Sequence, residues 1–185
     1  MVLDHVIEGR SVRLRSACLT DAEFTYNIRQ DKEKIQYLHQ VSGTLEEQEE
    51  WLTKQRERQG DYFFVVETKD GEPIGTTGVC NMKDQEGEGG RFILYGNPVQ
   101  TAEASMLGYD FAFYECGLKK VWVKVHEDNT HIHSYVRRFG AKESFRKYDE
   151  SLGSNLIYFY LTEEMYREKR EKIMKSIEVM LCEEE

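Results

Sequence analysis

The chain has 185 residues, 39% of them hydrophobic, and a formal net charge of -9, which is enough for one α/β domain with a real core and opposes non-specific attraction to nucleic-acid phosphates. No apolar run approaches the ~20 residues that span a bilayer, and Met1 to Arg10 carry Asp4 and Glu8 in place of a signal peptide's basic and apolar blocks, so a cytoplasmic protein with neither nucleic-acid nor membrane partners is expected. Cys18, Cys80, Cys116 and Cys182 stand far apart and read as reduced thiols.

Val12-Arg13-Leu14-Arg15 alternates like a half-buried strand. Thr20 to Glu23 supply a helix cap and a capping-box carboxylate, and Thr44-Leu45-Glu46-Glu47 repeats that signal for a helix reaching about Arg58. Tyr62 to Glu67 and Pro73 to Val79 are extended runs joined by the turn Lys69-Asp70-Gly71-Glu72, a hairpin. The Gly-rich acidic stretch Asp84 to Gly90 reads as a connection, and Arg91 to Tyr95 as the next strand. From Gln100 to Gly117, apolar residues at spacings of three and four predict a helix with Gly117 past its end. Lys119 to Val125 is a strand, Asn129 to Arg138 a short helix closed by Phe139-Gly140, and two strands follow around Phe145 to Tyr148 and Leu156 to Leu161. A charged helix begins after Thr162, and Glu183 to Glu185 are expected to fray.

This order, with Gly71-Glu72-Pro73-Ile74-Gly75, the stretch from Asp110-Phe111-Ala112-Phe113 to Gly117-Leu118-Lys119-Lys120-Val121, and Asp128-Asn129 ahead of Gly140, resembles the GNAT superfamily of acetyltransferases over most of residues 11 to 162. The resemblance implies an α/β (α+β) fold: a mixed, mostly antiparallel central sheet flanked by helices. Residues 1–162 would form the domain and 163–185 a helical extension packed on it or on a partner, with a homodimer possible. It also implies acetyl-coenzyme A as acyl donor and a primary amine on a small molecule as acceptor.

In such a layout a strand that splays from its neighbour offers unpaired main-chain groups to the pantetheine arm, here Leu94, Tyr95, Gly96 and Asn97. The following helix end, with Gln100, Thr101, Ala102 and Ala104, would meet the pyrophosphate through its amides and dipole. The family's glycine-rich loop is replaced by Pro98-Val99-Gln100-Thr101-Ala102-Glu103-Ala104, and Glu103 would repel a phosphate if it faced the loop. Asn129 caps its helix and, by resemblance, braces the cofactor region. Tyr135 is the candidate acid for the departing thiolate, although the family's tyrosine position falls on Val136, and one residue is ~100° around a helix. Glu86, Glu88 and His126 are candidate bases, each also readable as a solvated charge or strand-end residue. Arg91 stands where many relatives carry a strand carboxylate. His126, His131 and His133 fit no zinc pattern, so no metal is expected.

Two branches compete for the acceptor. Arg29-Gln30-Asp31, Thr44 to Trp51 and Tyr95-Gly96-Asn97-Pro98 resemble enzymes acting on nucleotide-linked amino sugars, which makes Arg29 and Trp51 candidate substrate contacts. The Asn129 to Gly140 segment resembles protein N-terminal acetyltransferases. Polyamines and antibiotics are further acceptors to consider, and a GNAT fold without turnover, binding acyl-coenzyme A or a partner, is the competing reading from another class.

Overall fold

The computed structural model describes residues 1–39 and 43–184, with Glu183 and Glu184 in backbone only; the end expected to fray therefore lies largely outside the described residues. Eight strands form one sheet: β1 Ile7–Glu8, β2 Val12–Ser16, β3 Tyr62–Thr68, β4 Pro73–Lys83, β5 Glu86–Leu94, β6 Lys120–His126, β7 Lys142–Asp149 and β8 Ser154–Thr162. Their order is β1-β2-β3-β4-β5-β6-β8-β7. Every neighbouring pair is antiparallel except β5 with β6. The helices are α1 Ala22–Ile28, α2 Lys32–Ile35, α3 Leu45–Glu57, α4 Pro98–Asp110, α5 Thr130–Arg138 and α6 Glu163–Glu184.

Local chemistry accounts for most boundaries. Thr44 accepts the Glu47 amide while the Glu47 carboxylate accepts the Thr44 amide, the reciprocal box that starts α3. Gly71 (φ 89°) turns the β3–β4 hairpin, and Gly117 (φ 68°) follows a π-helical turn, Phe111–Glu115, that ends the α4 run. The expected cap at Thr20 is not formed. A 3-10 turn, Leu19–Asp21, precedes α1, and the Asp21 carboxylate takes the Cys18 amide (2.8 Å) and two Arg15 nitrogens (2.7 Å each), which a cap facing α1 would forgo.

The connection expected over Asp84 to Gly90 is also corrected, because Glu86 to Gly90 belong to β5. Glycine is used there for close approach: a Cβ on Gly87 would lie 2.7 Å from Leu118 Cδ1, and one on Gly89 3.2 Å from Val121 Cγ1. Short elements β1 and α2 had no strong pattern and went unread.

The main core lies between the sheet and α4, α5 and α6. Val12, Leu14, Phe64, Phe111, Phe159, Leu161 and Tyr166 meet there, and Tyr166, the anchor of α6, is fully buried. Its hydroxyl donates to Asp110, which also receives Arg170 Nε and Nη2, both at 2.7 Å, so α6 is tied to the end of α4. A smaller core on the opposite face joins Leu52 and Trp51 of α3 to Phe63 and Val65.

Beside this second core, Asp61 is buried and held by the Arg91 guanidinium and by Gln55. Burial alone would raise its pKa, but the Arg91 hydrogen bonds and charge, with Gln55 and Arg58, together outweigh that and hold it below the usual carboxylate value. A lowered folded-state pKa contributes stability that is present above the unfolded value of ~3.9 and is lost as pH falls through the folded one. Thermal melts from about pH 7 to pH 3 should therefore fall steeply for the wild type, and less steeply for Asp61→Asn, whose loss is already present at neutral pH.

Candidate active site at the splayed strands

β5 and β6 share only three rungs, Glu86 opposite Lys120, Gly87 opposite Val121 and Glu88 opposite Trp122. Beyond Glu88 the strands part, β5 running on to Leu94 and β6 to His126. A bulge shapes the open edge: Arg91 and Phe92 together stand opposite Thr77, Arg91 takes φ 56°, and Thr76 Oγ1 donates to its carbonyl at 2.8 Å. The extra residue sends Arg91 toward α3, its guanidinium 5.3 Å from the Trp51 ring, and Phe92 toward α5, 6.4 Å from the Tyr135 ring.

On the α1–α3 face, Glu88 sits at the last rung before the gap. Its Oε2 lies 2.6 Å from Lys124 Nζ on β6 and 3.2 Å from Asn81 Nδ2 on β4. Glu86 is committed elsewhere, to Lys120 Nζ at 2.6 Å and Trp122 Nε1 at 2.7 Å. The His126 ring packs on Tyr37 at 5.2 Å, and its Nδ1 accepts the Asp128 amide at 3.2 Å. That bond places the proton of the neutral ring on Nε2, which leaves that nitrogen a donor and not an acceptor. Burial pushes the neighbouring Cys80 thiol up, which makes it a poor nucleophile.

The two expected acceptor contacts separate. Trp51 meets Phe63 edge-on at 5.2 Å and lies under Arg91, so its ring is used in packing. Arg29 is half-buried, donates to the His39 carbonyl at 2.6 Å, and burial lowers its pKa. His39 in turn meets Asp149 at 3.2 Å, which links the α2 side of the cleft to the β7–β8 turn.

On the α4–α5 face, the groups expected to meet pantetheine are mostly committed. The Leu94 carbonyl receives Lys34 Nζ at 3.2 Å, and the Tyr95 amide bonds Ile74 at 2.8 Å. The Tyr95 hydroxyl donates to Asp31 at 2.9 Å, and burial with that bond pushes its pKa up to about 12. Gly96 is small because Gln100 Cβ lies 2.9 Å from where its Cβ would stand. Asn97 and Gln100 cap each other, each side chain bonding the other's amide at 2.9 Å. The open edge lies earlier, from Gly89 to Ile93, where β5 has passed its last rung with β6.

The α4 terminus is likewise altered from the expected anion site. Pro98 has no amide hydrogen, Gln100's is taken by Asn97, and Thr101 already bonds the Asn97 carbonyl through both its amide and its hydroxyl. Ala102 is half-buried, and Ala104 is fully buried in the core, turned from the helix end. Glu103 does not face the loop at all. Its carboxylate is buried and accepts the amides of Arg10 (2.7 Å), Ser11 (2.6 Å) and Val12 (3.0 Å) and the Ser11 hydroxyl (2.6 Å).

Asn129 caps α5, its Oδ1 accepting the Ile132 amide at 3.3 Å. Val136 is buried in the core, whereas Tyr135 points to α4. Its hydroxyl donates to the Thr101 carbonyl at 2.9 Å and receives Ser105 at 2.8 Å, and burial pushes its pKa up to about 12. The Arg138 guanidinium acts on that phenol from the next turn and, among the described residues, makes no ion pair. Lys124 and Arg138 escaped the sequence reading: recognising either needs the strand register or the α4–α5 contact, neither of which is a local pattern.

The chain matches the model of the acetyltransferase (GNAT) domain over residues 11–142. No curated protein matches it. Among solved structures, it is similar to apo FdhC, described as a nucleotide-linked sugar GNAT, at 22% identity and a TM-score of 0.79, covering 92% of this chain and 97% of that one. A GCN5-related N-acetyltransferase from Brucella melitensis superposes with a TM-score of 0.79 at 17% identity, covering 94% of this chain and 85% of that one. A chimera of the spermidine N-acetyltransferase SpeG from Vibrio cholerae with hSSAT gives 0.75 at 17% identity, covering 85% and 98%.

Proposed function

The chain belongs to the GNAT acetyltransferase family, whose membership implies an acyl-coenzyme A donor, and from that premise we propose that it carries an acetyl group from acetyl-coenzyme A to a primary amine on a small molecule. The observation that supports this most is Glu88 at the last β5–β6 rung, a carboxylate at the mouth of the gap. The donor supplies a thioester carbonyl as electrophile and a thiolate as leaving group. The amine must arrive neutral, so its ammonium gives up a proton, and Glu88, directly or through one water, is placed to take it. The C–N bond then forms as the C–S bond breaks, and the second nitrogen proton passes to the departing thiolate. A thiolate leaves readily near its own pKa of ~8.5, so Tyr135, whose proton is engaged by Thr101, is needed less as an acid than as a brace between α4 and α5.

With the α4 amides largely capped, the pyrophosphate charge needs another partner, and this proposal assigns it to Arg138, whose charge acts on Tyr135 at the α4–α5 contact. Arg138→Ala should weaken acetyl-coenzyme A binding about fivefold to tenfold by calorimetric titration with the melting temperature unchanged. An unaltered affinity would remove Arg138 from the site.

The acceptor is a cationic amine in this proposal: Asp84, Glu86 and Glu88 stand in the neighbouring lining with Lys83 and Lys124, and an ammonium can take the place of a lysine on one of the paired carboxylates. FdhC, with its nucleotide-linked sugar, and the spermidine acetyltransferase bracket the small-molecule choices; the N-terminus of a protein is the larger alternative. The self-capped α4 terminus favours one second reading, a fold that holds a partner or acyl-coenzyme A without turnover. A thiol-release assay with acetyl-coenzyme A and a panel of amino sugars, polyamines and peptides decides between them. Release above background with one class assigns the acceptor; tight donor binding without release assigns the second reading.

A further inference from the structure

A hollow of about 560 Å³ opens on the α1–α3 side of the sheet beside Glu88, lined by strand and turn residues that include Asn81, Glu86, Glu88, Trp122, Phe145 and Tyr158. Among the described residues no helix contributes to its lining. Phe145 stacks on Tyr158 with centroids 4.3 Å apart, and Trp122 stands 6.1 Å from Phe145. Phe145 is 47% exposed, so the wall stands open at that ring.

The wall is held rigid. Trp122 Nε1 is fixed by Glu86, whose other oxygen holds Lys120, and Lys120 Nζ lies 5.4 Å over the indole ring. Lys124 Nζ is 5.7 Å from the Tyr158 ring while it holds Glu88. Aromatic faces fixed in advance suit a flat or cyclic ligand, because stacking needs a plane and ordering it here requires no rotamer change. A linear polyamine would use the carboxylates but not the rings.

We propose that this hollow seats the six-membered ring of an amino sugar, its apolar face on Trp122, Phe145 and Tyr158 and its amine at Glu88. The volume falls in the ordinary range for a small-molecule pocket, roughly 300 to 1,000 Å³, and Asn81 and Lys124 offer donors for ring hydroxyls. The inference rests on the acetyltransferase reading only for the placing of the amine.

The test is saturation-transfer NMR with glucosamine and, separately, putrescine, on the wild type, Phe145→Ala and Trp122→Leu. Phe145 is on an exposed edge strand, so its variant decides the matter if Trp122→Leu fails to fold. Transfer to the glucosamine ring protons is expected in the wild type and should fall about threefold or more in Phe145→Ala, with putrescine unaffected. Absence of transfer in the wild type, or equal transfer in the variants, overturns the ring seat. If transfer behaves as expected but no amine releases thiol, the seat stands and the acetyltransferase reading fails. If glucosamine is turned over with a KM that Phe145→Ala leaves unchanged, the enzyme reading stands and the seat fails.

Discussion

Glu88→Gln is expected to lower kcat about 100-fold to 1,000-fold with acetyl-coenzyme A affinity unchanged, the lower part of the roughly 100-fold to 10,000-fold span usual for one general base. The substitution keeps the volume and a hydrogen bond to Asn81 but removes both the proton acceptor and the charge facing Lys124. A simple amine has a pKa near ~10, so the free base becomes abundant as pH rises. The deficit should therefore shrink steadily between about pH 7 and pH 10, whereas a defect in packing would not respond. A constant ratio across that range, or an unaltered kcat, would take the base role away from Glu88. Lys124→Met is the matching control, since it frees Glu88 without removing it.

Glu103→Ala is expected to destabilise the fold by about 4 kcal/mol. The carboxylate is the common acceptor for three main-chain amides and one hydroxyl at the β1–β2 turn, and each buried donor left without a partner costs about 1–3 kcal/mol before water or relaxation recovers part of it. Glu103→Gln keeps one acceptor oxygen and should lose roughly half as much. Denaturant titration at neutral pH checks both. The side chain points away from the α4 end, so donor affinity measured below the melting temperature should not change. A stable Glu103→Ala that binds acetyl-coenzyme A more tightly would mean that the charge faces the phosphate after all.

The parts of the fold that were legible in the sequence are those whose cause is local. The Thr44–Glu47 box, the Gly71 turn and the positive φ at Gly117 are each decided by a few adjacent residues. Glu86 to Gly90 were misread because glycines usually mark a connection, while here they make room for Leu118 and Val121 from a distant part of the chain. The site divides in the same way. Glu88 and Asn129 could be nominated from position, and the mismatch between Tyr135 and the buried Val136 from helical spacing. The commitment of Leu94 and Tyr95 to Lys34 and Ile74 could not, nor could the direction of Glu103, since each depends on which remote groups the tertiary structure brings near.

The three-rung seam between β5 and β6 also bears on how the chain reaches this state. Strands β3 to β5 join in sequence through short turns, whereas β2 meets β3 only across residues 17–61 and β6 meets β5 only after the stretch from Leu94 to Lys120 has wound back across the sheet. Closing that long loop costs entropy before the few rungs repay it. The β3–β4–β5 meander is thus the natural early nucleus, and the β6–β8–β7 leaf a later arrival, locked down by α4 and α6. The short seam joins two leaves whose strands otherwise pair within themselves.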